Sequence, residues 1–343
     1  MRAPRGDFRV RAADDPPSLL VVILDVAALA WTDIAGDKAT ATLQSVIEQL
    51  LVFLNSFMLL HESNRICVIL ASPDGAQLVF PELSEPGSRC SDIDLVAEDN
   101  ALDAATAGSG FTLHAEQTPL KLRDAVLAGV KEAFRAQEGE VASAPAPIST
   151  ALATALCLHN RAKSIKSTRS SLSLGQGNGQ ANNDSGTCNG RILMLIASED
   201  APEQYVPVMN CIFSAQRMGV PLDSCIHGDK DSTYLQQAAY LTNGVCLRPN
   251  EFSTENPNVL IQILQTVFLT DRLNRDFLAM PTPRKVDFRA SCMKTRQIIE
   301  DGYTCSVCLS TFATTVAKGA AMCPICSARF AITSRVKRRP PRP

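Results

Sequence analysis

Four of the chain's twelve cysteines fall in one short stretch, CSVCLSTFATTVAKGAAMCPIC at residues 305–326, as two C-x2-C pairs with fourteen residues between them. Two intervening residues let both thiolates of a pair converge on one ion. A connection of this length brings the second pair round to complete a tetrahedron. Cys305, Cys308, Cys323 and Cys326 are therefore the expected ligands of a structural zinc ion. Such a segment is too short for a core of its own, and the ion contributes on the order of 10 kcal/mol to its folding. Four thiolates leave no open position for water, which argues against a catalytic zinc. Cys292 lies close enough in sequence to substitute for one of the four. A redox dithiol is the main rival, and two similar pairs so near each other favour the metal. A ubiquitin-ligase module with two zinc ions needs eight ligands, whereas this region offers five cysteines and no histidine.

The other residues with chemical potential are carboxylates at the ends of apolar runs. SLLVVILD (18–25) ends in Asp25 and RILMLIAS (191–198) is followed by Glu199 and Asp200. Both runs have the length and continuous apolarity of strands covered on two faces. RICVILAS (65–72) is a third, turning through Pro73-Asp74-Gly75 into AQLVF (76–80), and VPLDSCIH (220–227) and VCLRP supply two more. Between them, Leu43, Val46, Ile47, Leu50, Leu51, Leu54, Phe57 and Met58 recur at helical spacing, predicting one amphipathic helix over 40–60. Helices are also expected over 119–135, 149–165, up to about 218, and in STYLQQAAYLTNG, which Gly244 stops. Asn256-Pro257 reads as the N-cap and first turn of a last helix bearing Val259, Leu260, Ile263, Leu264, Val267 and Phe268 on one face. Strands alternating with helices predict an α/β fold, a doubly wound, mostly parallel sheet.

In such sheets ligands bind beyond the carboxyl ends of the strands. The loop opening Asp25-Val26-Ala27-Ala28-Leu29 has neither the glycines of a dinucleotide site nor a second acid at position 27. The pattern resembles a von Willebrand factor A domain, a family that often holds Mg²⁺ through an Asp-x-Ser-x-Ser loop, a distant Thr and a further Asp. Here Ala27 and Leu29 replace the two hydroxyls. Ala144 and Ala146 stand near the threonine's place, with Ser149 and Thr150 the nearest hydroxyls. Asp25 and Asp200 alone make a weak cage for a hard ion. Asp25 is expected instead to accept backbone N–H groups of the next loop. A Mg-dependent hydrolase using Asp25 and Asp200 is the enzymatic alternative.

Bulk properties narrow the remaining choices. The formal net charge of −2 provides no general field for nucleic acid. The tail RVKRRPPRP carries Arg335, Lys337, Arg338, Arg339 and Arg342, read as a solvated end or import signal rather than a DNA contact. Arginines before the first apolar run imitate a secretory leader, but Asp25 inside the run and Asp14 and Asp15 before it argue against one. No stretch reaches the ~18 uncharged apolar residues of a membrane span, so a soluble chain is expected. Cys67, Cys90, Cys157, Cys188, Cys211, Cys225, Cys246 and Cys292 are scattered and read as buried thiols, which with the paired cysteines suits a reducing compartment. The Ser/Gly/Asn-rich stretch 166–190 reads as a low-complexity insert. Its glycines lack the strand and Gly-Lys-Ser/Thr of a phosphate cradle, and its sequon Asn183-Asp184-Ser185 is idle in that compartment.

An A domain followed by a four-cysteine module is similar to the smaller von Willebrand factor A-like subunit of the core of general transcription factor IIH. LLVVILD, ASEDAPEQYVPVMNCIFSAQRMGVPLDSC, YLQQAAYLTNGV, VDFRASC and GYTCSVCLSTF all resemble that family's segments, in its order, from about 18 to 332. The resemblance implies a nuclear, non-enzymatic subunit serving RNA polymerase II transcription initiation and nucleotide excision repair through protein–protein scaffolding. It implies docking to the other core subunits, chiefly to the zinc-bearing C-terminal domain of the larger A-domain subunit. The expected organisation is an arm over 1–17, the A domain over 18–270 with its insert, a linker over 271–290, the zinc module over 291–334 and the basic tail over 335–343.

Overall fold

The computed structural model describes residues 18–61, 64–81, 117–137, 145–173, 189–228, 231–252, 258–275, 277–281, 286, 292–295, 299 and 301–329. The expectations for 1–17, most of 81–115, Ala144, Cys90, Cys188, Asn256-Pro257 and the basic tail lie outside those residues.

Strand β1 (Ser18–Asp25) is buried along its whole length, and its alternate residues serve two cores. Leu20, Val22 and Leu24 join one apolar cluster; Leu19, Val21 and Ile23 join the other. That is why the run is continuously apolar: a strand buried on both faces has no polar side to show. β2 (Arg65–Ser72) and β4 (Asn189–Ile196) flank β1 in parallel, β5 (Leu222–Ile226) and β6 (Cys246–Leu247) continue beyond β4, and β3 (Gly75–Phe80) closes the other edge as the antiparallel arm of a hairpin. The six-stranded order is β3-β2-β1-β4-β5-β6.

Helices α1 (Ala28–Ala35), α2 (Ala39–Leu60), α3 (Pro119–Gln137) and α4 (Ile148–Ser173) precede β4, and α5 (Tyr205–Met218), α6 (Thr233–Thr242) and α7 (Val259–Ile263) follow it. α2, α3 and α7 line the first core, while α4, α5 and α6 line the second, so the sheet is doubly wound as expected. α1 is a helix that hydrophobic spacing did not reveal, and α4 runs eight residues into the stretch read as an insert. By length and composition, Ala28–Leu60 is apolar enough to cross a membrane, although Asp33, Asp37, Lys38 and Glu48 keep it from being the uncharged run considered above. Its stripe Leu43, Val46, Ile47, Leu50, Leu54 and Phe57 is nevertheless packed in the first core.

α6 ends differently from the expected stop at Gly244. Asn243 takes the left-handed cap conformation (φ 56°), tolerable for asparagine. Gly244 is required for another reason: a Cβ there would sit 2.0 Å from the Leu222 carbonyl oxygen.

Two arginines fasten the chain after α7 to the sheet. The Arg191 guanidinium donates to the Thr270 and Leu269 carbonyls at 2.9 and 3.2 Å and lies 5.3 Å from the Phe57 ring centroid. Arg275, in the short helix α8 (Arg272–Arg275), makes a bidentate pair with buried Asp223 at 2.8 and 2.5 Å, and Asp223 also accepts the Val245 N–H. A second, two-stranded sheet pairs β7 (Gly302–Thr304) with β8 (Thr311–Ala313), followed by α9 (Thr314–Gly319). Its small core includes Cys292, Met293, Phe312 and Ala317 beside Cys305 and Cys323.

Candidate metal centre and crest of the sheet

The two cysteine pairs form matching turns. Cys305 N–H donates to Ser310 O and Leu309 N–H to Cys305 O, both at 2.9 Å; Cys323 N–H donates to Ala328 O at 2.7 Å and Ser327 N–H to Cys323 O at 2.9 Å. The residue after each pair is left-handed without being glycine, Leu309 at φ 59° and Ser327 at φ 58°. That conformation costs about 1–2 kcal/mol per residue, a strain repeated in both turns that a ligand shared between them would offset.

The result brings all four predicted ligands together, with their Sγ atoms within 4.8 Å of one another. Cys305 and Cys326 are 3.6 Å apart, as are Cys308 and Cys323. A disulfide needs ~2.05 Å, whereas thiolates ~2.3 Å from one tetrahedral ion stand ~3.8 Å apart. The spacing therefore fits a divalent ion bound by sulfur. Burial raises the Cys308 thiol, but the Ser310 hydroxyl and N–H, with Cys326 and Cys323, outweigh it and pull it down to about 6. The Ala328 N–H pulls Cys326 down, yet burial and the three neighbouring sulfurs leave it pushed up to about 12. Sulfurs crowded this closely share protons until a cation replaces them.

Cys292 lies outside the four-sulfur group, and its Sγ accepts the Ala313 N–H at 3.2 Å. Burial pushes this thiol up, and donors from Ala313, Thr295 and Lys294 more than reverse that. Among the other cysteines, Cys67 and Cys225 are buried as expected, with burial pushing Cys225 far up, but Cys157 is exposed on α4 and Cys211 and Cys246 are half-buried.

At the crest, both carboxylates are occupied by protein donors. Asp25 is wholly buried and accepts N–H groups from Ala27, Ala197 and Ser198 at 3.0, 3.1 and 2.7 Å. Burial pushes its carboxyl above the ordinary value, and the Ser198 hydroxyl and those N–H groups offset part of the rise. A cation here would meet three N–H dipoles pointing the wrong way and a carboxyl that resists ionising. Asp200 caps α6, receiving the Ser232 hydroxyl on one oxygen and the N–H groups of Thr233 and Tyr234 on the other at 2.8 and 3.3 Å.

Two glutamines that spacing did not single out hold the loops that a metal would otherwise join. Gln137, the last residue of α3, donates to Val26 O at 3.1 Å and accepts the Ala28 N–H at 2.9 Å. Gln204 donates to Ala146 O at 3.0 Å and accepts the Ser149 N–H at 3.4 Å, while Ala146 N–H donates to the Ser198 hydroxyl at 3.3 Å. Ala27 and Ala146 are buried, Leu29 is exposed, and Thr150 lies exposed on α4. The chain's one tryptophan, Trp31, donates its indole N–H to Asp25 O at 3.0 Å and lies 5.4 Å from the His227 ring. His227 is buried with Nε2 unpartnered, and burial lowers it to about 4.

Residues 17–327 match the family model described as Transcription factor Tfb4. The General transcription and DNA repair factor IIH subunit TFB4 of Debaryomyces hansenii is 32% identical over 342 residues, covering 92% of this chain and 86% of that protein. Its counterpart of the same name from Arabidopsis thaliana is 33% identical over 298 residues, covering 87% and 85%. The crystal structure of the TFIIH p34 N-terminal domain is alike in fold, with a TM-score of 0.51 at 20% identity over 74% of this chain and 99% of that one.

Proposed function

Because this chain belongs to the Transcription factor Tfb4 family, we propose that it is a non-catalytic structural subunit of the transcription factor IIH core, acting in RNA polymerase II transcription initiation and nucleotide excision repair. The observation that carries the non-catalytic reading is the crest, where the Asp25 and Asp200 carboxylates are taken up by backbone and hydroxyl donors. With both of these carboxylates engaged by the protein's own donors, the strand ends are suited to holding a partner. The chain works in the nucleus among the other core subunits, chiefly against the zinc-bearing C-terminal domain of the larger A-domain subunit, without touching nucleic acid or membrane.

Cys305, Cys308, Cys323 and Cys326 hold a structural Zn²⁺. Their separations of 3.6 Å and the twin turns support this assignment. Bound zinc supplies folding energy and no reaction, because sulfur fills every position. The organisation follows: an A domain over 18–270, a connector over 271–290 and the zinc module over 291–334.

Purification of the chain from native extract with a metal assay tests this reading. One zinc per chain and co-purifying IIH subunits are expected. Cys305→Ser with Cys308→Ser is expected to lose the zinc and weaken assembly. Full assembly without zinc contradicts the scaffold assignment.

A further inference from the structure

The module and the crest are physically joined through Tyr205. This half-buried side chain, at the start of α5, packs on the module's core of Cys292, Met293, Cys305, Phe312, Ala317 and Cys323, and also on the second core of the A domain. Its ring lies 5.5 Å from that of Tyr234, tilted by 51°. Tyr234 in turn donates its hydroxyl to Ala201 O at 3.2 Å and its N–H to Asp200 at 3.3 Å. A packed path thus runs from the sulfur cluster through two tyrosines to the Asp200 cap of α6.

Resting on the zinc reading, we infer that metal occupancy controls the order of the crest: the loaded module latches onto Tyr205 and stiffens residues 200–205 and the first turn of α6. Two of the six residues in the module's buried apolar cluster, Cys305 and Cys323, belong to the four-sulfur group, so without the ion that core loses what holds it together. When it opens, Tyr205 loses its outer packing, Tyr234 loses the support behind its ring, and the loop carrying Asp200 is freed. The crest that meets a partner is then ordered only in the zinc-loaded chain, which makes metal loading a checkpoint for assembly.

Hydrogen exchange on the intact chain, with and without a zinc chelator, tests the latch, with zinc counted in the same samples. Chelation is expected to speed exchange at the amides of 203–205 and Thr233–Leu235 by about tenfold, the scale of losing one well-packed aromatic contact, while β1 and β4 stay protected. Tyr205→Ala is expected to keep one zinc yet show the fast crest exchange in both conditions, and Tyr205→Phe to behave as the parent. If the chain binds one zinc and chelation alters only 292–329, the latch is refuted and the zinc reading survives. If no zinc is found, both fall.

Discussion

His159 and His227 are buried, and burial holds both at about 4 against an ordinary 6.5, with Lys163 adding to the effect at His159. Between those values the unfolded chain binds the protons that the folded chain refuses, so stability falls as the pH drops from 6.5 towards 4. Each histidine is expected to cost about 2 kcal/mol of stability by about pH 5 relative to neutrality. Urea unfolding across this range should show the loss, and His227→Gln should remove its share. An unchanged slope in that variant would mean His227 is already solvated. At this same scale, Asp25 was legible as an acceptor of its own loop's N–H, but not as an acceptor from Ala197 and Ser198. Backbone donors have no residue type, so only the folded register of β1 against β4 brings them into place. The two glutamines escaped for a related reason, since an amide side chain has no diagnostic spacing.

Among elements, β1 and β2 were read to the residue because two-sided burial leaves an unbroken apolar run, whereas the expected bounds of β4, β5 and β6 differ from the observed ones by up to two residues. α1 was not, because Ala27 caps it without a side-chain hydrogen bond and its apolar residues merge with those of the strand before it. The register of the C-terminal segment was also invisible. Nothing in the sequence pairs Arg275 with Asp223, fifty-two residues earlier. That pair is side-chain buried at both ends, with 9% and 1% exposure, and removing one partner from such a pair strands the other charge. Arg275→Met is therefore expected to lower unfolding free energy by about 3–5 kcal/mol. A loss under about 1 kcal/mol, the range of exposed pairs, would show that water reaches Asp223.

In the whole molecule, loops that meet at the strand ends are joined by carboxylate, hydroxyl and amide hydrogen bonds, while the sulfur cluster is carried in a separate small sheet. The sequence already separated these roles: hydroxyl ligands are replaced at Ala27 and Leu29, and four cysteines are spaced for one ion. The account therefore turns on a crest whose own loops are joined by hydrogen bonds rather than by a cation seated among them. Trp31 is the chain's one tryptophan and donates its indole N–H to the Asp25 backbone carbonyl, so its fluorescence reports on ions bound beside that residue. Manganese, a paramagnetic stand-in for magnesium, should produce no saturable quenching of Trp31 in the zinc-loaded chain. Saturable quenching that disappears in Asp25→Ala would contradict the account.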